Sequence, residues 1–212
     1  MKALVIGATG ATGKDLVQVL LQSPEYSEIV VFVRRATGLT NSKFVEVITD
    51  FDNMEKVADR IHGDVWFSLL GTTLKTAGSK DKQWKIDYEI PMKFAEIAKT
   101  NGVNKAVLLS AYGASTESRI FYSKMKGELE KGIEKLALSQ LIIFRPGLLL
   151  RKDSDRFGER ISAGVLKFLN GLGLIRKFKP MPTYTLAEKM AKAPTAFSEG
   201  MHVIELDKIF SL

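Results

Sequence analysis

Tyr122 and Lys126 stand four residues apart in the segment Tyr122-Ser123-Lys124-Met125-Lys126, a spacing that puts both side chains on one face of a helix. A free phenol titrates near pH ~10 and is a poor acid–base group at neutral pH. A neighbouring ammonium favours the phenolate and brings the group toward the working range. Ser110 closes an apolar run shortly before, where its hydroxyl would bond to a substrate carbonyl. Such a set moves a proton on and off an oxygen. The hydride that accompanies the proton in an oxidation or reduction has to come from a cofactor.

The start of the chain offers a place for one. In Gly7-Ala8-Thr9-Gly10-Ala11-Thr12-Gly13 the glycines fall at every third position, between an apolar run and a helical pattern. Glycine permits a tight turn, a close approach of the backbone to a pyrophosphate, and tight packing of helix on strand. The helix start then offers unpaired amides to the phosphates. The spacing is GxxGxxG rather than GxGxxG.

Ile29-Val30-Val31-Phe32-Val33 runs directly into Arg34-Arg35, with no acid nearby. An acid at this point would bond the ribose hydroxyl of NAD, whereas arginine accommodates the extra phosphate of NADP. The expected cofactor is therefore NADP rather than NAD, unless the two arginines are merely a solvated pair. Asp50-Phe51 ends the third apolar run and either flanks the adenine or caps the helical segment that follows. Leu70-Gly71-Thr72-Thr73 passes beneath the nicotinamide-side ribose or makes a simple turn. Pro146-Gly147, after Arg145, crosses the nicotinamide site, with proline stiffening the crossing.

These residues need a scaffold, and the hydropathy pattern describes one. Short apolar runs alternate with helical segments, which argues for βαβ units and a parallel sheet. Strands are expected at 2–6, 29–33, 44–49, 64–70, 105–110, 140–144 and 201–206. Helices are expected at 12–21, 53–62, 83–100, 120–138, 158–169 and 186–193, with Pro91 kinking the long one or marking its first turn. The 212 residues, 45% of them hydrophobic, suffice for one domain. The tail from 148 to 212, with a loop at 171–182, is expected to cap the strand ends, where open parallel sheets bind ligands. Tyr112, Leu148 and Phe157 are candidate lining of a partly apolar substrate pocket.

Composition narrows the function. There is no cysteine, so disulfides and cysteine metal centres are excluded, and the only two histidines, His62 and His202, are read as ordinary surface or loop residues rather than a metal centre. The net charge of +7 is spread over several helices rather than stacked in one patch, which argues against nucleic acid. The run Arg176-Lys177-Phe178-Lys179 is read as a solvated loop. No apolar run reaches the ~18 residues of a membrane span, and no secretory signal is visible. A soluble, cytoplasmic protein is expected, binding a small-molecule substrate and acting as a monomer or homodimer.

The glycine pattern, Ser110, Tyr122, Lys126 and Arg145-Pro146-Gly147 resemble the short-chain dehydrogenase/reductase superfamily in its atypical branch. Leu70-Gly71-Thr72-Thr73, Lys126-Gly127-Glu128 and Phe144-Arg145-Pro146-Gly147 are closer still to the Tat-interacting-protein-like reductases. The resemblance covers roughly residues 1–150 well and the tail only loosely. It implies a Rossmann fold with about seven parallel strands, NADP binding at Gly7, Thr9, Gly10, Ala11, Thr12 and Gly13, and Tyr122 as proton donor supported by Lys126 and Ser110. It also implies that Lys126 holds the nicotinamide ribose. Its atypical members include reductases, epimerase-like and dehydratase-like enzymes, and cofactor-binding regulators that act through protein partners. The expected activity is hydride transfer between NADP and a small carbonyl compound or its alcohol.

Overall fold

The first strand, β1 (Lys2–Ile6), sends Ala3 and Val5 into one core and Leu4 and Ile6 into another. Both faces of the strand are covered, which is why its sequence is continuously apolar from Ala3 to Ile6 rather than alternating. The structure, a computed structural model, describes residues 1–150 and 178–212. Helix α1 (Ala11–Gln22) follows, then β2 (Glu28–Val33) and β3 (Phe44–Ile48). After a 3₁₀ segment at Phe51–Arg60 come β4 (Val65–Ser68), the short helices α2 (Leu74–Ala77) and α3 (Lys80–Trp84), and α4 (Ile90–Thr100). Then β5 (Lys105–Leu109), α5 (Phe121–Glu134), β6 (Gln140–Arg145) and the two-residue β7 (Leu149–Leu150) complete the first part. The chain resumes with β8 (Met181–Pro182), α6 (Thr183–Ala196) and β9 (Gly200–Glu205).

Seven strands form one sheet in the order β3-β2-β1-β4-β5-β6-β9, with every pairing parallel. The chain winds outward from β1 in both directions, so the strand order reverses between β1 and β4. That is the point where an open parallel sheet leaves a crevice at the carboxyl ends of its strands. Helices α1 and α6 pack together on one face, with Leu16, Leu20, Leu186 and Met190 fully buried against Val5, Val31 and Phe67. Helices α4 and α5 cover the other, where Phe94 meets Phe32 edge-on at 5.1 Å and Trp66 at 5.7 Å. This is an α/β Rossmann-like fold, doubly wound on a parallel sheet of seven strands.

Most expected elements are present within a residue or two of their expected ends. The expected helix at 53–62 is instead a 3₁₀ segment interrupted at Asn53 and Val57, whose backbone angles are not helical. The long helix begins earlier, at Lys80, and widens into one π turn at Lys85–Glu89 before α4. Pro91 accounts for that turn. It has no amide to give and its ring crowds the carbonyl four residues back, at Asp87, so the backbone opens there rather than break. Of the tail, β7 pairs with β8, α6 lies beside α1, and β9 extends the main sheet. The expected helix at 158–169, Phe157, Arg176 and Lys177 lie outside the described residues.

Candidate functional site

The glycine turn stands at the reversal point. Gly7 directly follows β1 with a φ of +86°, and a Cβ there would sit 2.5 Å from the carbonyl carbon of Leu69, which directly follows β4. A Cβ on Gly13 would come within 2.1 Å of the Gly7 carbonyl oxygen. Neither position tolerates a side chain, so the turn lies flat against two strand ends. Gly10 is the residue before α1, and among the described residues no side chain caps that helix start. A backbone pressed this close, opening on uncapped amides, fits a pyrophosphate. Thr9, Gly10 and Ala11 are exposed, whereas Thr12 is buried.

A cleft of about 820 Å³ opens here, bordered by Gly10 to Gly13, by Leu69 to Leu74, and by Ser110, Tyr122, Lys126, Gly147 and Leu148. Residues expected to act together from four separate parts of the sequence thus border one space. Helix α5 carries the phenol and the ammonium, and it is held close to the 112–118 loop by Gly127, where a Cβ would lie 2.3 Å from the Ser115 carbonyl carbon. Tyr122 is 38% exposed. The Lys126 Nζ lies 5.9 Å from the centre of the Tyr122 ring.

Lys126 is almost entirely buried, and the reason is a residue the sequence reading passed over. Its Nζ lies 3.2 Å from Oδ1 of Asp87, which is fully buried in the π turn, and 3.3 Å from the carbonyl oxygen of Leu70, to which it donates. The Asp87 Oδ2 accepts the Thr72 amide at 2.9 Å. Burial pushes the Asp87 carboxyl above the ordinary aspartate range, against the opposing pull of the Lys126 charge and the Thr72 amide. Gln83, also buried, donates to the Thr72 carbonyl at 3.0 Å. Gly71 passes over this pair, with a Cβ position 3.5 Å from Asp87 Oδ1. The 71–73 strand end is therefore fastened rather than a simple turn, and Thr73 goes on to cap α2.

Ser110 directly follows β5 and is 5% exposed at the cleft wall. Its hydroxyl donates to Oε1 of Glu130, so the expected bond to a substrate carbonyl is not the one its proton makes here. Glu130 is itself clasped by Arg145, whose Nε and Nη2 reach its two oxygens at 3.0 and 2.5 Å. The Arg145 Nη1 donates to Glu205 on β9 at 2.8 Å. This double carboxylate contact raises the already high guanidinium pKa further, with the Glu130 hydrogen bonds the largest cause.

The remaining expected residues are distributed around this centre. Arg34 and Arg35 are exposed at the carboxyl end of β2. Asp50 takes the capping role: its Oδ1 accepts the Asp52 amide at 3.1 Å and its Oδ2 the Asn53 side chain at 2.6 Å. These bonds, Asn53 first, hold its carboxyl below the usual range. Phe51 and Leu70 pack on the core under α4. Pro146 is buried and its carbonyl accepts the Tyr112 amide at 3.0 Å, which joins the 111–114 loop to the 146–147 crossing. Leu148 borders the cleft, while the Tyr112 ring stacks edge-on against Phe178.

Comparison with known proteins agrees with this picture. The sequence profile of a family described as NAD(P)H-binding matches residues 7–157. The mitochondrial protein FMP52 of Saccharomyces cerevisiae is 35% identical over 172 residues, covering 78% of this chain and 74% of that protein. Protein HTATIP2 of Rattus norvegicus is 35% identical over 160 residues, or 73% of this chain and 66% of its own length. Among solved structures, the UDP-glucose 4-epimerase of Thermotoga maritima with UDP-glucose superposes with a TM-score of 0.72 at 15% identity, covering 97% of this chain and 76% of that one. The Thermus thermophilus UDP-glucose 4-epimerase in complex with NAD gives 0.70 at 16% identity, over 100% and 81%. At such identities these two share the fold alone.

The cytoplasmic location expected from the sequence is overturned by the FMP52 relatives. From Saccharomyces cerevisiae, Candida albicans and Scheffersomyces stipitis alike, they are mitochondrial proteins. No helix among the described residues is long and apolar enough to cross a membrane. The matched profile, the identity shared with FMP52 and HTATIP2, and the glycine turn at the strand reversal make this chain a member of the NAD(P)H-binding family.

Proposed function

We propose that the protein is an NADP-dependent oxidoreductase acting on a small carbonyl compound or the corresponding alcohol, with the whole chain forming one cofactor-binding domain. One observation carries this reading: the glycine turn, Tyr122, Lys126 and Ser110 all border the same cleft at the carboxyl ends of the strands. When bound there, NADPH would supply the hydride. The glycine turn and the start of α1 would hold its pyrophosphate, and Lys126 with the 70–73 segment the nicotinamide end. Tyr122 would give its phenolic proton to the oxygen of the carbonyl as the hydride reaches the carbon. A partly exposed phenol suits that role, because it meets substrate and solvent alike. Mitochondrial relatives favour a mitochondrial setting for this activity.

NADP is preferred over NAD because the end of β2 presents Arg34 and Arg35 and no carboxylate. The test is a binding titration of NADPH and NADH side by side, repeated with Arg34→Ala. NADPH should bind more tightly than NADH, and the variant should lose about tenfold for NADPH and little for NADH, in line with one lost charge-assisted contact. Binding of neither dinucleotide ends the oxidoreductase reading and turns the search to protein partners. A screen of carbonyl compounds with NADPH, with Tyr122→Phe as control, then tests the reaction itself.

A further inference from the structure

We infer that Ser110 faces the cleft as a hydrogen-bond acceptor, its proton held by Glu130, so that the group seated against it is a ligand hydroxyl rather than a carbonyl oxygen. This rests on the cleft being the cofactor and substrate site proposed above. A serine hydroxyl has one proton to give and two lone pairs to offer. The proton of Ser110 goes to Glu130 Oε1. The opposite sense, a protonated Glu130 donating to Ser110, fails on the count of donors. Both oxygens of Glu130 already accept N–H groups from Arg145, the same Oε1 among them, and a guanidinium has no acceptor to offer in return. Three donors converging on two oxygens is the pattern of an ionised carboxylate, and a carboxylate only accepts.

The arrangement is built to persist. Glu130 is 4% exposed, and its second oxygen is held by Arg145 at 2.5 Å. Arg145 is anchored in turn by Glu205. The Ser110 backbone is fixed by its own amide, which donates to the Phe144 carbonyl at 2.8 Å. Turning the hydroxyl toward the cleft would give up a charge-assisted hydrogen bond to a buried carboxylate and leave Oε1 with Arg145 Nε alone. What remains to Ser110 at the cleft wall is lone-pair density. A ligand group that only accepts gains nothing there, while an alcohol can donate. Glu130 lies four residues beyond Lys126 on α5, so one helix face carries the phenol, the ammonium and the carboxylate that orients the serine. In this role Glu130 is a positioning residue.

Two measurements test the assignment. The first needs no cofactor: a proton NMR search for a slowly exchanging hydroxyl correlated with the Ser110 side chain. A hydroxyl bonded to a buried carboxylate should give that signal, and Ser110→Ala should abolish it. Its absence from the wild type overturns the proposal. The second uses the complex with tetrahydro-NADP, a reduced analogue that cannot give up hydride, titrated with cyclohexanol and cyclohexanone. The alcohol should bind about fivefold more tightly than the ketone, the worth of one ordinary hydrogen bond. Ser110→Ala leaves the Glu130–Arg145 pair intact and should erase the preference without changing affinity for the dinucleotide. Glu130→Gln, whose amide can donate back to Ser110, should shift the preference toward the ketone. Equal binding of the two probes to the wild-type complex, or tighter binding of the ketone, overturns the proposal. If the dinucleotide analogue does not bind while the hydroxyl signal is present, the cofactor reading falls and the proton assignment stands.

Discussion

Lys126 Nζ and Asp87 Oδ1 lie 3.2 Å apart with neither side chain open to solvent, joining α5 to the π turn before α4. Breaking such a pair costs more than its net contribution, because the surviving charge stays buried. Lys126→Met should destabilise the protein by about 3–5 kcal/mol at neutral pH. The cost should depend on pH, with a definite sign. Burial already raises the Asp87 pKa, so the folded protein holds that proton to higher pH than the unfolded chain does. Stability from this group is full below the ordinary aspartate range and is lost as pH rises through the raised value. Removing Lys126 removes the main opposing pull, so the loss becomes steeper. Urea unfolding at several pH values should show a penalty that is small in acid and grows toward neutrality; a penalty that is flat with pH would contradict this account.

The two glutamates bound to Arg145 should behave differently. Glu130 is buried and receives three hydrogen bonds, whereas Glu205 is more than a third exposed and receives one. Glu130→Ala should cost about 2–3 kcal/mol, and Glu205→Ala no more than about 1 kcal/mol. Thermal unfolding of the two variants under one buffer condition ranks them directly.

The glycines of the turn should also differ among themselves. Gly13→Ala must force its methyl group into the Gly7 carbonyl, and overpacking of that kind costs about 1–3 kcal/mol. It should also weaken NADPH binding by more than tenfold, since the turn has to shift where the phosphates rest. Gly10→Ala meets its nearest atom at 3.4 Å and should leave stability almost unchanged. Paired melting curves and NADPH titrations of the two variants check the contrast.

Tyr122→Phe removes only a hydroxyl from a partly exposed side chain at the cleft wall. Stability should change by no more than about 0.5 kcal/mol, as at other surface positions. Turnover on any substrate found by the carbonyl screen should fall by about 10²–10⁴-fold, the usual worth of a positioned proton donor. A variant that keeps full turnover would remove Tyr122 from the reaction.

Much of this was readable along the chain because the deciding forces are local. After the charged residues that open them, Lys2 and Glu28, β1 and β2 are apolar without a break, and both faces of each are buried. The spacing of Gly7, Gly10 and Gly13 reports a turn closed within thirteen residues, while the close approach of Leu69 to Gly7 depends on β4. Asp87 was invisible for the opposite reason. Its partners, Thr72 and Lys126, come from either side of it in sequence, and only the assembled sheet brings them together. Glu130 did leave a local signal, the four-residue step from Tyr122 to Lys126 to Glu130 on α5, but its meaning depends on Arg145 arriving from β6. The π turn was half legible: Pro91 marked a disturbance, while its form depends on the backbone opening at Asp87. Asp50, weighed between adenine and a cap, is a cap because Asp52 and Asn53 are close enough to claim it first.

Among the described residues, β9 has one strand neighbour instead of two. β9 pairs with β6 along one edge only, and edge elements are the first to open when a native protein fluctuates. Were its end to lift away, Glu205 would leave Arg145, and the grip on Glu130 and Ser110 would slacken in turn. Amide hydrogen exchange at β9 would then keep time with the mobility of the cleft wall. A fraying margin would set how often the serine is released to reorient.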